Sequence, residues 1–407
     1  MECPSQLHTS NFSTQFCIQM ANQVLLKQID KGSNFVLSPL SFHFMLSLIA
    51  AGSTGRTLEQ LLSYLGSKSI GDLNFMSTQF IALTSMMSNV KGGKNKNNQI
   101  SSPSLSFANG LWIDQRFSLN PSCERILKAS YNAKAKEVDF ANKADKVIDE
   151  VNSWVENETK GLIKDLLRPG SINGDTALLF ANALYFKGKW DRKFDKKLTR
   201  NMKFHLLNGK TVRVPFMTSE KYEHHHLYGS FDGYKILSIP YQSSQFYMYF
   251  FLPNDTNGLP RLVKRLNSNP GFMNQEFELW EEEVPELWIP RFKFSFEFEA
   301  LETIKEMGLE LPFMDVGELT EMVVDGGEGD ELGGGLYLSK VFHKSCIEVN
   351  EEGTEAAAST ADINRFFSKR IPTPRFGADH PFMFMIREET SGTVLFTGAV
   401  LNPLLVA

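Results

Sequence analysis

Three adjacent histidines, His224, His225 and His226, are the first residues whose type could do chemistry, because imidazole nitrogens are common zinc ligands. Adjacent side chains on an extended segment alternate between faces, so at most two of them could converge on one ion. No cluster of cysteines or carboxylates completes a ligand set. The histidines are therefore expected at the surface, and the chain is expected to hold neither a metal nor a cofactor.

Other catalytic signals are weak. Residues 52–57, G-S-T-G-R-T, lack the glycine spacing and the lysine of a phosphate-binding loop, and they follow a predicted helix, so a turn between helices explains them. The sequence contains no G-x-S-x-G elbow, no H-E-x-x-H and no Cys/His pair in a recognisable context. Because the members of a catalytic triad need not be close in sequence, this favours a binding or inhibitory protein only modestly.

The segment EEGTEAAASTADINRFFSKRIP, residues 351–372, combines small side chains with two adjacent phenylalanines. A helix here would be marginal, since it has no apolar stripe to bury. A strand would sort the residues by parity, with a uniformly small face and a face that carries one charge. We therefore predict a loop that can become a strand, with Gly353 supplying the freedom to bend. The small face would consist of Thr354, Ala356, Ala358 and Thr360.

The sequence on either side of this segment predicts the helices and strands that must hold it. The pattern is that of an α+β protein with a mostly helical first half. Ser38 and Pro39 are typical of the N-cap and first position of a helix that is buried over residues 35–51, and residues 144–168 predict an amphipathic helix. There is no internal repeat and no linker, so residues 1–407 are predicted to form one domain. Strands are predicted at 105–113, 177–186, 235–252, 283–299 and 344–350, with a hairpin over 382–401.

Composition argues against several classes of protein, namely those that bind nucleic acid or anionic membranes and those held together by disulfides. The hydrophobic content of 42% supports a large core, and a net charge of −5 provides no overall basic field for nucleic acid or an anionic membrane. The four scattered cysteines, Cys3, Cys17, Cys123 and Cys346, are typical of reduced, buried thiols. The first residues show no secretory signal, which predicts a cytoplasmic or nuclear protein, with the extracellular space or apoplast as the alternative.

Several long motifs, in order along nearly the whole chain, resemble the serpin family and especially its plant serpin-Z branch. They begin with NFVLSPLS at residues 34–41 and NALYFKGKW at 182–190, and they include the tract from Glu351 to Thr360. The series ends with ADHPF at 378–382, FTG at 396–398 and Asn402-Pro403. The resemblance implies the serpin fold: a helical N-terminal half packed on three β-sheets, with a large central sheet and an exposed reactive-centre loop at residues 353–377.

The resemblance also implies a function, that of a suicide substrate. A protease cleaves the loop, and the cleaved loop inserts into the central sheet and traps the enzyme as a covalent complex. By the family's spacing from Glu351, the cleaved bond is Phe367-Ser368, which suits a chymotrypsin-like serine protease. The alternative, Lys369 or Arg370, suits trypsin-like or papain-like cysteine proteases. The hinge that inserts first would be Glu351, Glu352, Gly353, Thr354, Glu355, Ala356, Ala357, Ala358, Ser359 and Thr360.

The resemblance further assigns positions beneath the loop. Ser38, Ser41, Asn182 and His343 resemble the buried polar shutter where the sheet opens, and Trp190, Arg291 and Glu351 resemble the breach where insertion begins, with Arg291 and Glu351 as an ion pair.

One residue departs from what insertion requires. Asp362 shares the parity of Thr354, so full insertion would turn a carboxylate toward the underside of the sheet. A non-inhibitory serpin-fold protein, acting as a carrier, chaperone or storage protein, is the alternative function, although the hinge expected of such a protein, with bulky or charged residues on the face that must be buried, is missing here. The protein is expected to be a monomer, to bind no nucleic acid or membrane, and not to be an enzyme.

Overall fold

The computed structural model describes residues 15–89, 103–219, 225–242, 245–269, 271–316, 318–324, 335–353 and 374–405. Within these ranges eight α-helices pack on three β-sheets, which confirms the predicted α+β class. None of the helices in these ranges is long and apolar enough to cross a membrane. The helices are α1 (Gln15–Lys31), α2 (Pro39–Ala51), α3 (Gly55–Leu65), α4 (Ile70–Asn89), α5 (Pro121–Tyr131), α6 (Phe140–Glu158), α7 (Leu259–Asn267) and α8 (Leu301–Glu306).

The strands form sheets of seven, four and five members in the described part of the chain. They are β1 (Phe35–Leu37), β2 (Ser104–Asp114), β3 (Ala133–Val138), β4 (Leu178–Lys187), β5 (Arg200–His205), β6 (Thr211–Met217), β7 (His225–Phe231), β8 (Tyr234–Pro240), β9 (Phe246–Pro253), β10 (Trp280–Glu283), β11 (Glu286–Pro290), β12 (Phe292–Glu299), β13 (Lys340–Val349), β14 (Arg375–Gly377), β15 (Phe382–Glu388) and β16 (Val394–Val400). The predicted C-terminal hairpin is confirmed, because β15 pairs with β16 antiparallel.

The five-stranded sheet has the order β12-β13-β4-β2-β3. Two of its three inner strands, β13 and β4, are parallel, and their pairing runs from Lys340 opposite Leu179 to Cys346 opposite Tyr185. One face of β13 is buried at every second residue, as the period of a strand requires. The pairing with β4 ends at Cys346, so the last three residues of β13, Ile347 to Val349, extend beyond it.

Helix α2 lies beneath this sheet and confirms a buried helix from Pro39 on, whereas residues 35–37 of the predicted span form strand β1. Apolar residues lie on all sides of α2, and each residue from Pro39 to Ala50, including three polar ones, is buried. Ser38 caps it as predicted, since its hydroxyl accepts a hydrogen bond from the Ser41 N–H at 3.1 Å. Phe42 of this helix lies against the ring of His343, with the ring centres 5.0 Å apart. The helix therefore forms the floor under β4 and β13.

Helix α6 covers the opposite face of the sheet, but it ends ten residues earlier than the predicted span of 144–168. Lys160 and Gly161 have positive φ angles of 55° and 80°, which a helix cannot continue through. The Thr159 hydroxyl donates to the Val155 carbonyl at 2.7 Å and accepts from the Ile163 N–H at 3.1 Å. Local hydrogen bonding by a threonine thus ends the helix, while the apolar periodicity continues past it.

The other two sheets connect distant parts of the chain. The seven-stranded sheet has the order β1-β16-β15-β9-β8-β7-β10, and the four-stranded sheet has the order β14-β11-β6-β5. The Asn34 side chain, just before β1, donates to the Asn402 carbonyl at 2.9 Å and accepts from the Leu401 N–H at 2.8 Å. Cys17 and Cys123 are buried and Cys346 is half-buried, and all three are free thiols.

Candidate functional site

The chain reverses direction in a tight turn just after β13. The Asn350 N–H donates to the Gly353 carbonyl at 3.1 Å, and the Gly353 N–H donates back to the Asn350 carbonyl at 3.2 Å. The Asn350 side chain also accepts from the Glu352 N–H at 3.0 Å, as is typical of turns that begin with asparagine. The turn marks where the chain leaves the five-stranded sheet.

Gly353 can be replaced by no other residue without strain. Its φ of 117° lies in a region that side chains rarely adopt, and its backbone bridges to Lys189. A Cβ atom at this position would collide with the Gly188 carbonyl oxygen and lie 2.6 Å from Lys189 Cα. The contact is with backbone, so no side chain can move aside. Gly353, predicted as the residue where the loop bends, is therefore also a position where two backbone segments approach too closely for any side chain.

Trp190, three residues after the end of β4, anchors the turn. Its side chain is fully buried and stacks on Tyr241 with ring centres 4.6 Å apart. Its indole N–H donates to the Asn350 carbonyl at 2.9 Å, and its backbone N–H donates to the Glu352 carbonyl at 3.1 Å. The structure thus brings Trp190 to the start of the predicted hinge, where the resemblance placed the breach.

Glu351 is buried within the turn, with 2% of its surface exposed. Its Oε1 accepts a hydrogen bond from the Thr199 hydroxyl at 2.6 Å, and its Oε2 lies 3.7 Å from Arg291 Nε. The predicted ion pair is present, but the Arg291 side chain is half exposed, and exposed pairs contribute little. Thr199 makes the shorter contact, and sequence reasoning missed it because 152 positions separate it from Glu351.

Glu352 faces two lysines that follow Trp190. Its carboxylate lies 2.8 Å from Lys196 Nζ and 3.3 Å from Lys193 Nζ. Burial by itself raises the pKa of this carboxyl, but the hydrogen bonds and charges of the two lysines outweigh it, so the pKa is lowered. Glu352 is therefore held as a carboxylate at the edge of the turn.

A buried polar network joins β2, β4 and β13 below the turn. The Asn109 side chain donates to the Tyr131 carbonyl at 3.2 Å, and Asn182 Nδ2 donates to Asn109 Oδ1 at 2.7 Å. Asn182 Oδ1 lies 2.6 Å from His343 Nδ1, and His343 Nε2 lies 2.5 Å from Ser345 Oγ. Each of these residues is at most 2% exposed. Asn182 and His343 are brought together as predicted, and Asn109 is an unpredicted member.

The network fixes the tautomer of His343. A backbone carbonyl only accepts, so the Tyr131 carbonyl sets the orientation of the Asn109 amide, which in turn sets that of Asn182. Asn182 Oδ1 is then the acceptor, His343 Nδ1 carries the proton, and Nε2 accepts from Ser345. Burial lowers the pKa of His343 from 6.5 to about 3, so the ring is neutral near neutral pH.

Three of the four predicted shutter residues, Ser41, Asn182 and His343, line one small pocket between α2 and the pair β4–β13. Ser41 lines it and is 1% exposed, and its hydroxyl has no hydrogen-bond partner among the described residues. Ser38 is also buried but acts as the helix cap and does not line the pocket. The pocket is lined by Ser41, Phe42, Met45, Phe180, Asn182, Val341, Phe342 and His343.

Part of the predicted site lies outside the described residues. This holds for the hinge from Thr354 to Thr360, for Asp362, and for the predicted cleavage positions Phe367, Ser368, Lys369 and Arg370. Their assigned roles stay predictions, as do the boundaries 353–377 of the loop. The shutter and breach roles of Ser38, Ser41, Asn182, His343, Trp190 and Arg291 likewise stay predictions, although the structure gives their positions.

The predicted surface position of the three histidines is wrong for His226. Strand β7 begins at His225, which is exposed, and the alternation of a strand turns His226 inward, where it is 9% exposed. His224 lies outside the described residues. Within the described ranges, no group of three or more His, Cys, Asp or Glu residues could hold a metal ion.

Comparison with known proteins identifies the family. Residues 11–403 match the family model described as serpin, serine protease inhibitor. The chain is 43% identical over 400 residues to Serpin-ZX of Arabidopsis thaliana, covering 97% of this chain and 98% of that protein. It is 46% identical over 383 residues to Serpin-Z10 of the same plant, covering 93% and 94%. The chain therefore belongs to the serpin family.

Solved structures agree with this assignment. The native, stressed conformation of Arabidopsis AtSerpin1 superposes with a TM-score of 0.79 at 41% identity, covering 97% of this chain and all of that one. Uncleaved ovalbumin superposes with a TM-score of 0.77 at 22% identity, which shows the shared fold alone. The predicted serpin fold and plant serpin-Z resemblance are confirmed. The family implies protease inhibition, with a protease as partner and no catalysis by the serpin.

Proposed function

We propose that this protein inhibits proteases as a suicide substrate, with residues 353–377 as the reactive-centre loop. The protease nucleophile attacks the carbonyl carbon of Phe367, the Phe367-Ser368 bond breaks, and the amine of Ser368 leaves with a proton. The remaining ester or thioester links the protease to the loop. The observation that carries the proposal is the turn at Asn350–Gly353, which reverses the chain directly after β13, a member of the parallel pair β4–β13.

The direction of these strands suits an inserted strand. A chain that turns back after β13 runs antiparallel to β13, and because β4 is parallel to β13, it also runs antiparallel to β4. Insertion would replace one parallel ladder with two antiparallel ladders, which are slightly more stable per residue. Each hydrogen bond gained contributes a net amount on the order of 1 kcal/mol, so about a dozen can drive the change.

The register of the turn supports the role of the small residues. Asn350 and Gly353 are antiparallel partners, and each later loop residue would pair one position further down β13. Those partners on β13 are buried on the core side, at most 3% exposed, so the loop residues beside them must be small. The expected pairs are Thr354 with Val349, Ala356 with Ile347, Ala358 with Ser345, and Thr360 with His343.

The same register makes Asp362 a specific obstacle. It would lie opposite Val341 and beside Phe180, both of which are 1% exposed in the native fold. Burying a carboxylate there costs several kcal/mol unless the group takes up a proton. We therefore expect Asp362→Ala to increase the fraction of protease trapped per loop cleaved, with Asn364→Ala, on the same face, as the control.

A gel separates inhibition from simple cleavage. The protein is mixed with chymotrypsin-like, trypsin-like and papain-like proteases, and a covalent complex that survives SDS is expected with at least one of them. Cleavage without a complex across the whole panel would contradict the proposal and favour a carrier, chaperone or storage protein. Sequencing the released C-terminal peptide identifies the bond as Phe367-Ser368 or as one after Lys369 or Arg370.

Two arginine substitutions test the insertion step. Thr354→Arg should convert the inhibitor to a substrate, because its charge lies on the face that must be buried. Glu355→Arg is the matched control, since its side chain would lie on the other face, opposite Glu348, which is partly exposed. If both variants still trap protease equally, the insertion mechanism is wrong. Phe367→Arg should shift preference to basic-specific proteases, and an unchanged preference would place the bond elsewhere.

A further inference from the structure

The charge of this chain is distributed unevenly. Residues 187–213 contain ten lysines and arginines and two acidic residues, a local charge of +8, in a chain whose net charge is −5. Lys193 and Lys196 are neutralised in part by Glu352. The two acidic residues of the segment, Asp191 and Asp195, can balance only two of its ten positive charges.

Part of this charge lies on the outer face of the hairpin β5–β6. Lys203 and Arg213 are directly opposite in the antiparallel register, and both are exposed. Arg200, at the start of β5, is exposed as well, but it pairs with Phe216 and so belongs to the other face of the hairpin. Within the ranges that the structure describes, no carboxylate lies within 4.0 Å of the charged nitrogens of these three residues. Like charges opposite each other in a sheet are destabilising, so this pair lowers stability without an internal benefit.

The hairpin occupies a particular place relative to the loop. The described chain leaves the five-stranded sheet at Gly353, where Glu351 holds Thr199, the residue before β5. The described chain resumes at Pro374, directly before β14, on the opposite edge of the sheet β14-β11-β6-β5. The two anchor points of the loop therefore lie at the two sides of this four-stranded sheet. A protein that binds the loop is brought next to the sheet.

We propose that the outer face of β5–β6, where Lys203 and Arg213 lie side by side, is a docking surface for an acidic patch on the protease that attacks the loop. This inference rests on the proposed function. Opposite charges on two approaching proteins increase the association rate and leave the chemical step unchanged, and salt screens the effect. The surface would thus select among proteases that share one primary specificity.

A protein surface suits this face better than an extended polyanion such as a sulfated polysaccharide. The basic face is short, and toward β14 it is followed by the Arg375–Glu286 ion pair at 2.9 Å, which presents a carboxylate. A linear polyanion gains affinity by following a long row of cations. A compact acidic patch needs only the few charges that are present here.

The test uses the whole protein and two forms of one probe, chymotrypsin and chymotrypsin whose lysines have been succinylated to carboxylates. The variant is Lys203→Glu/Arg213→Glu. The matched control is Lys68→Glu/Lys128→Glu, which makes the same charge change at exposed residues outside the four-stranded sheet. The association rate constant is measured at low and high salt, from complex formation or, if the wild type is only cleaved, from loop cleavage.

The expected result is roughly tenfold slower association of succinylated chymotrypsin with the double variant at low salt, with little change for the control and convergence at high salt. Equal slowing by variant and control, or none, would overturn the inference. So would loss of heparin binding by the variant with unchanged protease association. Absence of a covalent complex contradicts the proposed inhibition only, because the cleavage rate still reports docking.

Discussion

Acidification is expected to destabilise the native protein through His343. Burial lowers the pKa of its imidazole from 6.5 to about 3. Between these values the unfolded chain binds a proton that the folded chain does not, so the free energy of unfolding falls as the pH falls from 6.5 and is unaffected by this group above 6.5. The slope is about 1.4 kcal/mol per pH unit, which gives about 2 kcal/mol of destabilisation at about pH 5.

The structure also shows why a second proton is unfavourable. His343 Nδ1 already donates to Asn182, and Nε2 accepts from Ser345, so protonation of Nε2 would make two donors face each other. Rotation of the Ser345 hydroxyl could remove that conflict, but it would leave the desolvated charge. Desolvation is the cause of the lowered pKa and remains the dominant cost.

The assay is urea unfolding of the wild type and of His343→Gln at about pH 7.5 and about pH 5. Glutamine can keep hydrogen bonds to Asn182 and Ser345 but does not titrate in this range, so other titrating groups cancel in the comparison. The wild type should lose about 2 kcal/mol more than the variant. In the wild type, the NMR signals of the His343 ring should stay those of neutral imidazole down to about pH 4. Equal losses in the two proteins, or a ring that titrates near its ordinary pKa, would refute the reasoning.

Two further predictions concern the turn after β13. Gly353→Ala should destabilise the native state by about 1–3 kcal/mol, because the new Cβ atom would collide with backbone atoms. Gly209→Ala is the control and should cost less, because Gly209 also has a positive φ, of 78°, but no atom lies within 4 Å of its Cβ position. Urea unfolding of both variants measures the difference. Thr199→Val should lower the free energy of unfolding by about 1–3 kcal/mol, because it leaves the buried Glu351 carboxylate without its hydrogen-bond donor at 2.6 Å. Arg291→Gln should lower it by under about 1 kcal/mol, because the Arg291 side chain is half exposed. A larger effect at Arg291 than at Thr199 would show that the ion pair dominates.

Local features of this fold could be predicted from the sequence, and contacts between distant residues could not. The Ser38 cap depends on a bond to Ser41, three residues away, so its pattern is visible in the sequence. The amides of Asn109 and Asn182 meet across 73 positions, and nothing near Asn109 indicates this. The family resemblance identified His343 and Asn182, but it did not identify Asn109, which fixes their orientation.

Whole-chain averages also concealed a feature. The net charge of −5 indicated no charged surface, whereas the register of β5 with β6 brings Lys203 and Arg213 side by side. Strand alternation, unlike a whole-chain average, predicts how individual side chains face, because it holds wherever a strand forms. Alternation correctly separates the faces of neighbouring histidines, but it does not say which face is buried, and His226, expected at the surface, turns inward.

The pairing of β1 with β16 has a consequence for biosynthesis. Phe35, near the N-terminal end of the chain, is the partner of Ala399, and Asn34 binds the backbone of residues 401 and 402. A ribosome releases the N-terminal segment long before it adds β16, so the edge of the seven-stranded sheet stays unpaired during most of translation. Such edges and late long-range contacts make a nascent chain prone to aggregation. The yield of folded protein in cells is therefore expected to depend on chaperones that bind the N-terminal third while the rest of the chain is being synthesised.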